Sequence, residues 1–284
     1  MSAYQIHPDA HMGRVQLKVS QIERSIRFYR ETIGLTLLSQ TSTTAEFGVS
    51  GSGVLLGLEE VEQAIVLPQQ SVTGLYHFAI LLPDRVSLGT TLRHLAASGL
   101  GIGQGDHAVS EAFYLNDPDG NGIEIYADRP RSEWQKDAKG EYVMGSDPVD
   151  VQSLLQLAGP WNGLPAGTVI GHVHLHVGNL PAARAFYVDG LGFDVVLHFG
   201  GGALFVSAGG YHHHMGLNTW AGVGAPAAPA NAVGLRYFTI EYPDAAELGA
   251  AVSALRAAGI EVTDTPEGPS ALDPFGNRAM LRVS

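Results

Sequence analysis

The 284-residue chain contains no cysteine. Disulfide bonds and thiolate metal ligands are therefore excluded, and any metal must be held by histidine, aspartate, glutamate or backbone oxygen. The chain is also poor in basic residues, with 16 lysines and arginines against 28 acidic residues and a formal net charge of -12. This balance disfavours a polyanion such as nucleic acid as the main partner and favours a small molecule.

Long apolar runs are missing as well. No stretch of the sequence approaches the roughly 18 uncharged apolar residues that a membrane-spanning helix needs. The first residues, MSAYQIHPDAHM, lack the basic start and apolar core of a secretory signal. We therefore expect a cytoplasmic protein that does not act in a membrane.

What the sequence does contain is an internal repeat. The segment GRVQLKVSQIERSIRFYRETIGL from Gly13 matches GHVHLHVGNLPAARAFYVDGLGF from Gly171. Each copy has an alternating pattern typical of a strand, then a turn, then an amphipathic helix that ends in Phe-Tyr before a glycine. The chain is long enough for two domains of about 100–200 residues each.

A second pair of segments matches in the same way. GLYHFAILLPD begins at Gly74 and GLRYFTIEYPD begins at Gly234, and each is followed by an alanine- and leucine-rich helical pattern. Both then reach a turn into a final strand, DPDGN at Asp117 and DPFGN at Asp273. The chain thus consists of four units of about 50 residues, each a strand, a helix and several further strands.

The units are numbered 1 to 4 in chain order and divide into two sequence domains. Units 1 and 2 occupy residues 9–130, units 3 and 4 occupy residues 168–284, and residues 131–167 form a linker. The linker has one short apolar patch, Val149 to Leu157, that could form a helix. It is long for a loop, so we expect it to pack along the surface.

This pattern resembles the vicinal oxygen chelate superfamily, which includes glyoxalases, bleomycin-resistance proteins and extradiol ring-cleaving dioxygenases. The resemblance covers nearly the whole chain apart from the linker, and it is closest to the two-domain, catechol 2,3-dioxygenase-like branch. It implies an α+β fold in which four βαβββ units form two open barrels. The fold alone leaves function open, because the same scaffold serves several activities.

In this superfamily a ligand histidine lies on the first strand of a unit and a ligand glutamate on its last strand. Unit 2 carries both, as His77 and Glu124, and unit 3 carries the histidine, His172. Each residue alone is more often a satisfied barrel side chain, but three together at family positions favour a metal site. Two imidazoles and one carboxylate are typical of non-haem Fe(II) oxygenases, which leave positions open for substrate and O2. Mn(II) is the alternative.

The other two units lack these ligands. Unit 1 has Arg14 at the histidine position and only apolar residues and glycine at residues 54–57, and unit 4 has Tyr237 and Met280. Because units 2 and 3 alone carry ligands, we expect these two to close around the metal. Units 1 and 4 would form a second barrel with a structural role.

A run of three histidines, His212 to His214, stands on the expected last strand of unit 3. It resembles the paired-histidine strand of extradiol dioxygenases, and aligning Met215 and Leu217 gives His213 the acid–base role. A slip of one residue would give it to His214 instead, since successive strand residues face opposite sides. His174 shares the strand face of His172 and is a further candidate near the substrate.

Two more candidates precede Glu124. Tyr114 stands ten residues before it, the interval at which extradiol enzymes place an active-site tyrosine, and its hydroxyl could bond a substrate oxygen. His107 lies near the position of a further substrate-contacting histidine and ranks below Tyr114.

The resemblance therefore implies an extradiol dioxygenase that opens a catechol ring with Fe(II) and O2. A glyoxalase-like metal isomerase or lyase is the second hypothesis, although it usually needs a fourth protein ligand, commonly glutamate. A metal-free binding protein, as in drug resistance, is the third. The expected partner is a small aromatic diol, with neither nucleic acid nor membrane, and a homodimer is the assembly considered.

Overall fold

The computed structural model describes residues 4–284, whose sixteen strands form two eight-stranded sheets. The strands of units 1 and 2 are β1 His11–Val19, β2 Thr36–Gln40, β3 Thr44–Gly48, β4 Leu56–Glu60, β5 Gly74–Leu82, β6 Gly103–Asp106, β7 Ser110–Asn116 and β8 Gly122–Asp128. Those of units 3 and 4 are β9 Val169–His176, β10 Asp194–Phe199, β11 Ala203–Ser207, β12 Met215–Asn218, β13 Gly234–Tyr242, β14 Val262–Thr265, β15 Gly268–Leu272 and β16 Arg278–Val283. Each unit thus contributes four strands.

The sheets combine units from opposite sides of the linker. One sheet has the strand order β14-β15-β16-β13-β1-β4-β3-β2 and contains units 4 and 1, while the other, β10-β11-β12-β9-β5-β8-β7-β6, contains units 3 and 2. The first strands of the paired units run antiparallel at the centre of each sheet, β1 beside β13 and β5 beside β9. The α+β fold of repeated units is as the sequence predicts, and the three expected metal ligands fall in one sheet.

Helices connect the strands of each unit. The α-helices are α1 Ile22–Arg27, α2 Arg85–Ala97, α3 Val151–Leu157, α4 Leu180–Arg184 and α5 Ala245–Ala257; α1 and α4 continue into π-helical turns at Phe28–Ile33 and Ala185–Gly190, and a 3-10 turn spans Arg131–Glu133. Asp84 and Asp244 begin α2 and α5 by accepting backbone N–H groups of the first turn. Such caps satisfy donors that lack partners within the helix.

The two repeated motifs noted in the sequence meet in space. The hydroxyl of Tyr29, from the Phe-Tyr end of the unit 1 helix, donates to Oδ2 of Asp117 in the unit 2 turn at 2.9 Å. Tyr187 of unit 3 bonds Asp273 of unit 4 in the same way, also at 2.9 Å. Both tyrosines are fully buried. Units 1 and 2, and likewise units 3 and 4, are therefore joined by a buried hydrogen bond, although the two units of each pair belong to different sheets.

The linker helix α3 forms where the apolar patch predicts one. Its Asp150 cap accepts the N–H of Ser153, and Leu154 is fully buried against α2. The contact needs Gly89 of α2, because a Cβ at that position would lie 2.2 Å from the Leu154 carbonyl oxygen. The linker thus packs closely against unit 2.

In the barrel of units 1 and 4, other groups occupy the ligand positions. Gln16 is paired with Gly57, so the register puts a glycine where unit 2 has Glu124. Arg14 forms an ion pair with Glu46 at 3.0 Å and lies over the ring of Tyr237. This barrel offers no set of metal ligands among the described residues.

No helix within residues 4–284 is both long and apolar enough to cross a membrane.

Candidate metal centre

Strand alternation sorts the side chains of β8 between two environments. Ile123 and Ile125 face the hydrophobic core, whereas Glu124, Tyr126 and Asp128 share the opposite face inside the barrel. On β9, His172, His174 and His176 likewise share one face. The polar interior of this barrel therefore follows directly from a two-residue period.

His77, Glu124 and His172 converge at the centre of the sheet. One carboxylate oxygen of Glu124, Oε2, lies 3.0 Å from Nε2 of His77 and 3.1 Å from Nε2 of His172. The ligand atoms of the three residues all lie within 4.8 Å of one another, and all three side chains are buried. The structure thus brings together the three residues that the sequence suggests as ligands.

Burial and neighbouring charge act in opposite directions on this cluster. Burial disfavours the ionised carboxyl of Glu124, but the two imidazoles outweigh it and hold the pKa well below its usual value. Burial lowers the pKa of His77, although Glu124 partly opposes the effect. An ionised carboxylate and neutral imidazoles are the forms that bind metals.

One observation indicates that an ion fits here. Nε2 of His77 is buried and lacks a hydrogen-bond partner within the described chain, although the Glu124 carboxylate is close. A buried ring nitrogen without a partner is costly in a folded protein. A divalent cation held by these two nitrogens and one oxygen would satisfy it, and this donor set suits iron or manganese rather than a thiolate-seeking metal.

Tyr114 and His107 form a hydrogen-bonded pair beside the candidate ligands. The Tyr114 ring centroid lies 5.6 Å from that of His77, and its hydroxyl lies 2.6 Å from Nε2 of His107. Nδ1 of His107 is 2.6 Å from the carbonyl oxygen of Gly145, which can only accept, so Nδ1 carries the proton. Nε2 then accepts the Tyr114 hydroxyl proton. The hydroxyl is therefore held in one orientation.

The histidine run does not lie on a strand, and this part of the sequence prediction is wrong. Strand β12 begins at Met215, and the three histidines occupy the turn that precedes it. Alternation of side chains between two strand faces therefore does not apply to them. All three are buried. His213 packs against His172 with ring centroids 4.1 Å apart. Burial, followed by the nearby His172, lowers the pKa of His213 well below its usual value.

The other candidates occupy different places. Nδ1 of His214 accepts the backbone N–H of Ala208, and its ring packs on Tyr211 with centroids 4.9 Å apart, so its contacts are structural. Burial lowers its pKa to about 3. The ring of His174 lies 5.0 Å from that of His77 and covers Gly216, and its Nε2 is buried without a partner in the described chain.

Several contacts around the site were not expected from the sequence. The linker packs on the histidine run. The ring centroids of Trp134 and His212 are 5.1 Å apart, and the Tyr142 hydroxyl donates a hydrogen bond to the Gly210 carbonyl just before the run. Asp128 accepts a hydrogen bond from His212 at 2.8 Å. The one available signal was the spacing of Glu124 and Asp128, which shows that both lie on the same strand face.

A cavity of about 480 Å³ leads to the centre from the seam between the two sheets. His77 and Tyr114 line it, together with Tyr76 and His176. The volume suits a small molecule. A ligand entering here would meet the His77 and Tyr114 side of the cluster first.

Comparisons with known proteins agree with this architecture. The family model described as the Glyoxalase/Bleomycin resistance protein/Dioxygenase superfamily matches residues 11–125 and 169–281. A catechol-2,3-dioxygenase of Bacillus subtilis (strain 168) is 53% identical over 272 residues, which cover 95% of each chain. Glyoxalase I from Zea mays superposes with a TM-score of 0.57 at 16% identity, covering 96% of this chain and 92% of that one. The CppA protein of Streptococcus pneumoniae TIGR4 superposes with a TM-score of 0.53 at 15% identity, covering 99% of this chain and 100% of that one. The chain therefore belongs to the glyoxalase, bleomycin resistance protein and dioxygenase superfamily.

Proposed function

We propose that this protein is an extradiol dioxygenase that opens the ring of a catechol. The observation that carries the proposal is the buried cluster of His77, Glu124 and His172, two nitrogens and one carboxylate in a single barrel. A relative named catechol-2,3-dioxygenase, which is 53% identical over 95% of this chain, supports it. The substrate class is a small aromatic diol, in keeping with a cavity of about 480 Å³ beside the cluster.

Fe(II) is the metal we propose, with O2 as co-substrate and Mn(II) as the alternative ion. When bound, such an ion would supply open positions for both catechol oxygens and for O2, bringing the reactants together beside the protein groups. His77, Glu124 and His172 would hold it. The remaining chemistry falls to the side chains around it.

His213 is the proposed acid–base group. Its buried ring lies against His172, and burial keeps its pKa low, so the imidazole is neutral at neutral pH and can accept a proton. A neutral base beside the metal would take the proton of a catechol hydroxyl and later return one to the product.

Tyr114 is the proposed hydrogen-bonding group on the other side of the cluster. Because His107 accepts the Tyr114 hydroxyl proton, the phenol oxygen is held beside His77 with lone pairs available to a substrate hydroxyl. Burial, reinforced by Glu124, raises the pKa of Tyr114 well above its usual value, so the phenol keeps its proton. His107 acts here as the residue that orients Tyr114.

The isomerase hypothesis lacks its fourth ligand. Gly216 of β12 pairs with His174 of β9, as Glu124 of β8 pairs with Ala79 of β5, so unit 3 has glycine where unit 2 has the glutamate. The His174 ring fills the space there, since a Cβ on Gly216 would lie 2.7 Å from it. No carboxylate can therefore enter from that position without displacing His174.

The test is anaerobic reconstitution of the purified chain with Fe(II), followed by a panel of catechols. We expect one equivalent of iron, a yellow ring-opened product and equal consumption of O2. A Glu124→Ala chain treated identically is the matched control and should show none of these. Formation of product without O2 uptake would identify an isomerase or lyase. Failure of the purified chain to bind metal would favour the third hypothesis, a metal-free binding protein.

A further inference from the structure

We propose that Asp128 and His212 form a hydrogen-bonded relay that fixes the tautomer of His213, so that its Nε2 is the free basic nitrogen. The inference rests on the proposed acid–base role of His213 and adds the two residues that position it. Neither positioning residue is a candidate metal ligand.

The relay is continuous from a partly exposed carboxylate to the buried centre. Nε2 of His212 lies 2.8 Å from Oδ1 of Asp128, and Nδ1 of His212 lies 2.8 Å from Nδ1 of His213. His212 is fully buried, whereas the Asp128 side chain is 26% exposed. A buried imidazole between two partners 2.8 Å away has no freedom to turn.

The direction of each hydrogen bond follows from what each group can donate. An ionised carboxylate only accepts, so His212 carries its proton on Nε2 and its Nδ1 is bare in the neutral ring. The bare Nδ1 must then accept from His213, which carries its proton on Nδ1. Nε2 of His213 is left unprotonated, and it makes no hydrogen bond within residues 4–284.

Other groups contact Asp128 and His212 without being members of the relay. The Tyr211 hydroxyl donates to Oδ1 of Asp128 at 3.2 Å, and the Tyr126 hydroxyl lies 2.7 Å from that of Tyr211. Because Tyr211 uses its proton on Asp128, Tyr126 is the donor to Tyr211. Trp134 of the linker covers the His212 ring. These contacts lie beside the path from Asp128 to His213, and neither hydrogen bond of the relay includes Tyr211.

In a Ser-His-Asp triad an aspartate orients the catalytic imidazole in the same way, and the wrong tautomer there lowers the rate by orders of magnitude. Here a second histidine separates the acid from the base. Its effect is to keep Asp128 away from the candidate metal ligands while still setting which His213 nitrogen is basic.

The tautomer can be read directly by nitrogen NMR of the full-length, metal-free chain labelled with ¹⁵N-histidine, with His213 assigned from the spectrum of His213→Phe. We expect a protonated Nδ1 and an unprotonated Nε2 on His213. In Asp128→Ala this preference should be lost. Tyr211→Phe, which removes the other hydrogen bond to Asp128 and leaves the relay, is the control and should keep it. A His213 protonated on Nε2 in the wild type, or a tautomer unchanged in Asp128→Ala, would overturn the proposal.

Turnover separates this inference from the proposed function. In the iron-loaded chain, Asp128→Ala should lower kcat about 10- to 100-fold, the range for residues that orient a functional histidine, with KM for catechol and iron content unchanged. Loss of iron or a rise in KM alone would contradict a positioning role. If the wild type shows the expected tautomer but no catechol cleavage, the proposed function fails while the relay stands.

Discussion

Tyr114 and Glu124 are direct cross-strand partners on the antiparallel strands β7 and β8. The turn between these strands is closed by Asp117, whose carboxylate accepts the backbone N–H groups of Asp119 and Asn121. This geometry fixes the ten-residue interval between the tyrosine and the glutamate. An interval of ten residues across this turn therefore places the Tyr114 phenol beside the Glu124 carboxylate.

Removing any one candidate ligand should abolish stoichiometric metal binding. His77→Ala, Glu124→Ala and His172→Ala each leave only two protein ligands for an ion. Metal content after gel filtration, measured by mass spectrometry, checks this. His176→Gln is the control, since His176 lies on the strand of His172 but bonds Asn218 instead. Full occupancy in one of the alanine variants would remove that residue from the site.

His213→Phe should keep the metal and lose most turnover, by about 10²–10⁴-fold as is typical for general acid–base groups. His214→Phe should keep turnover, because His214 contacts Tyr211 and the Ala208 backbone. Steady-state O2 uptake with a catechol distinguishes the two. Collapse in His214→Phe with unchanged turnover in His213→Phe would exchange their roles.

Tyr114→Phe should fold and bind metal normally but turn over about 10²-fold more slowly, because it deletes one positioned hydrogen-bonding group at the reacting centre. Tyr76→Phe is the matched control, since Tyr76 also lines the cavity and packs on His77. Stopped-flow kinetics on both variants gives the comparison. An equal loss in the two would indicate a general effect of cavity polarity.

Stability of the metal-free chain should fall as the pH drops below about 6.5, the value for histidine in an unfolded chain. Burial lowers the pKa of His77, His174, His213 and His214 in the folded state, so protons are taken up on unfolding. Each such residue contributes a slope of up to about 1.4 kcal/mol per pH unit between its two pKa values. Glu124, with a lowered pKa, adds a further loss only below its unfolded value of about 4.3.

Urea unfolding at pH 7.5 and pH 5.5 measures this dependence. In His214→Gln the difference in unfolding free energy between the two pH values should shrink by about 1.4 kcal/mol, because burial lowers the folded pKa of His214 to about 3 and its proton uptake on unfolding is then lost. Equal stability at the two pH values would contradict the expected proton uptake.

Two equivalent glycines should respond oppositely to alanine. Gly89 and Gly249 are each the fifth residue of a 13-residue helix, α2 and α5. A Cβ at Gly89 would lie 2.2 Å from the Leu154 carbonyl, whereas nothing lies within 4 Å of one at Gly249. We expect Gly89→Ala to destabilise by about 1–3 kcal/mol and Gly249→Ala to stabilise by up to about 1 kcal/mol. Thermal unfolding of both variants provides the test.

The sequence was sufficient for the repeat, the fold class and the convergence of His77, Glu124 and His172, because periodicity and family positions are local signals. It failed at the histidine run, where the apolar residues Met215 and Leu217 mark β12 but do not show that the strand starts after His214. The first residue of a strand depends on which backbone N–H and C=O groups form hydrogen bonds with the neighbouring strand, and the sequence does not show this.

Contacts of the linker could not be predicted for a different reason. Trp134 and Gly145 reach the site through irregular chain, where no period relates sequence position to direction. The relay from Asp128 to His213 likewise joins residues 85 positions apart through an intervening turn. Only the tertiary arrangement brings them together.

The interleaved strand order also has a consequence for biosynthesis. His11, at the start of β1, pairs with Glu241 near the end of β13, so β1 cannot complete its pairing until unit 4 has been made. Units 2 and 3 are consecutive in the chain and can close their sheet earlier. Long-range pairing of this kind is slow and leaves strand edges exposed while it is incomplete. One edge of β1 therefore has no β13 to pair with until unit 4 has been synthesised, whereas β5 and β9 of the barrel that holds the candidate ligands can pair earlier.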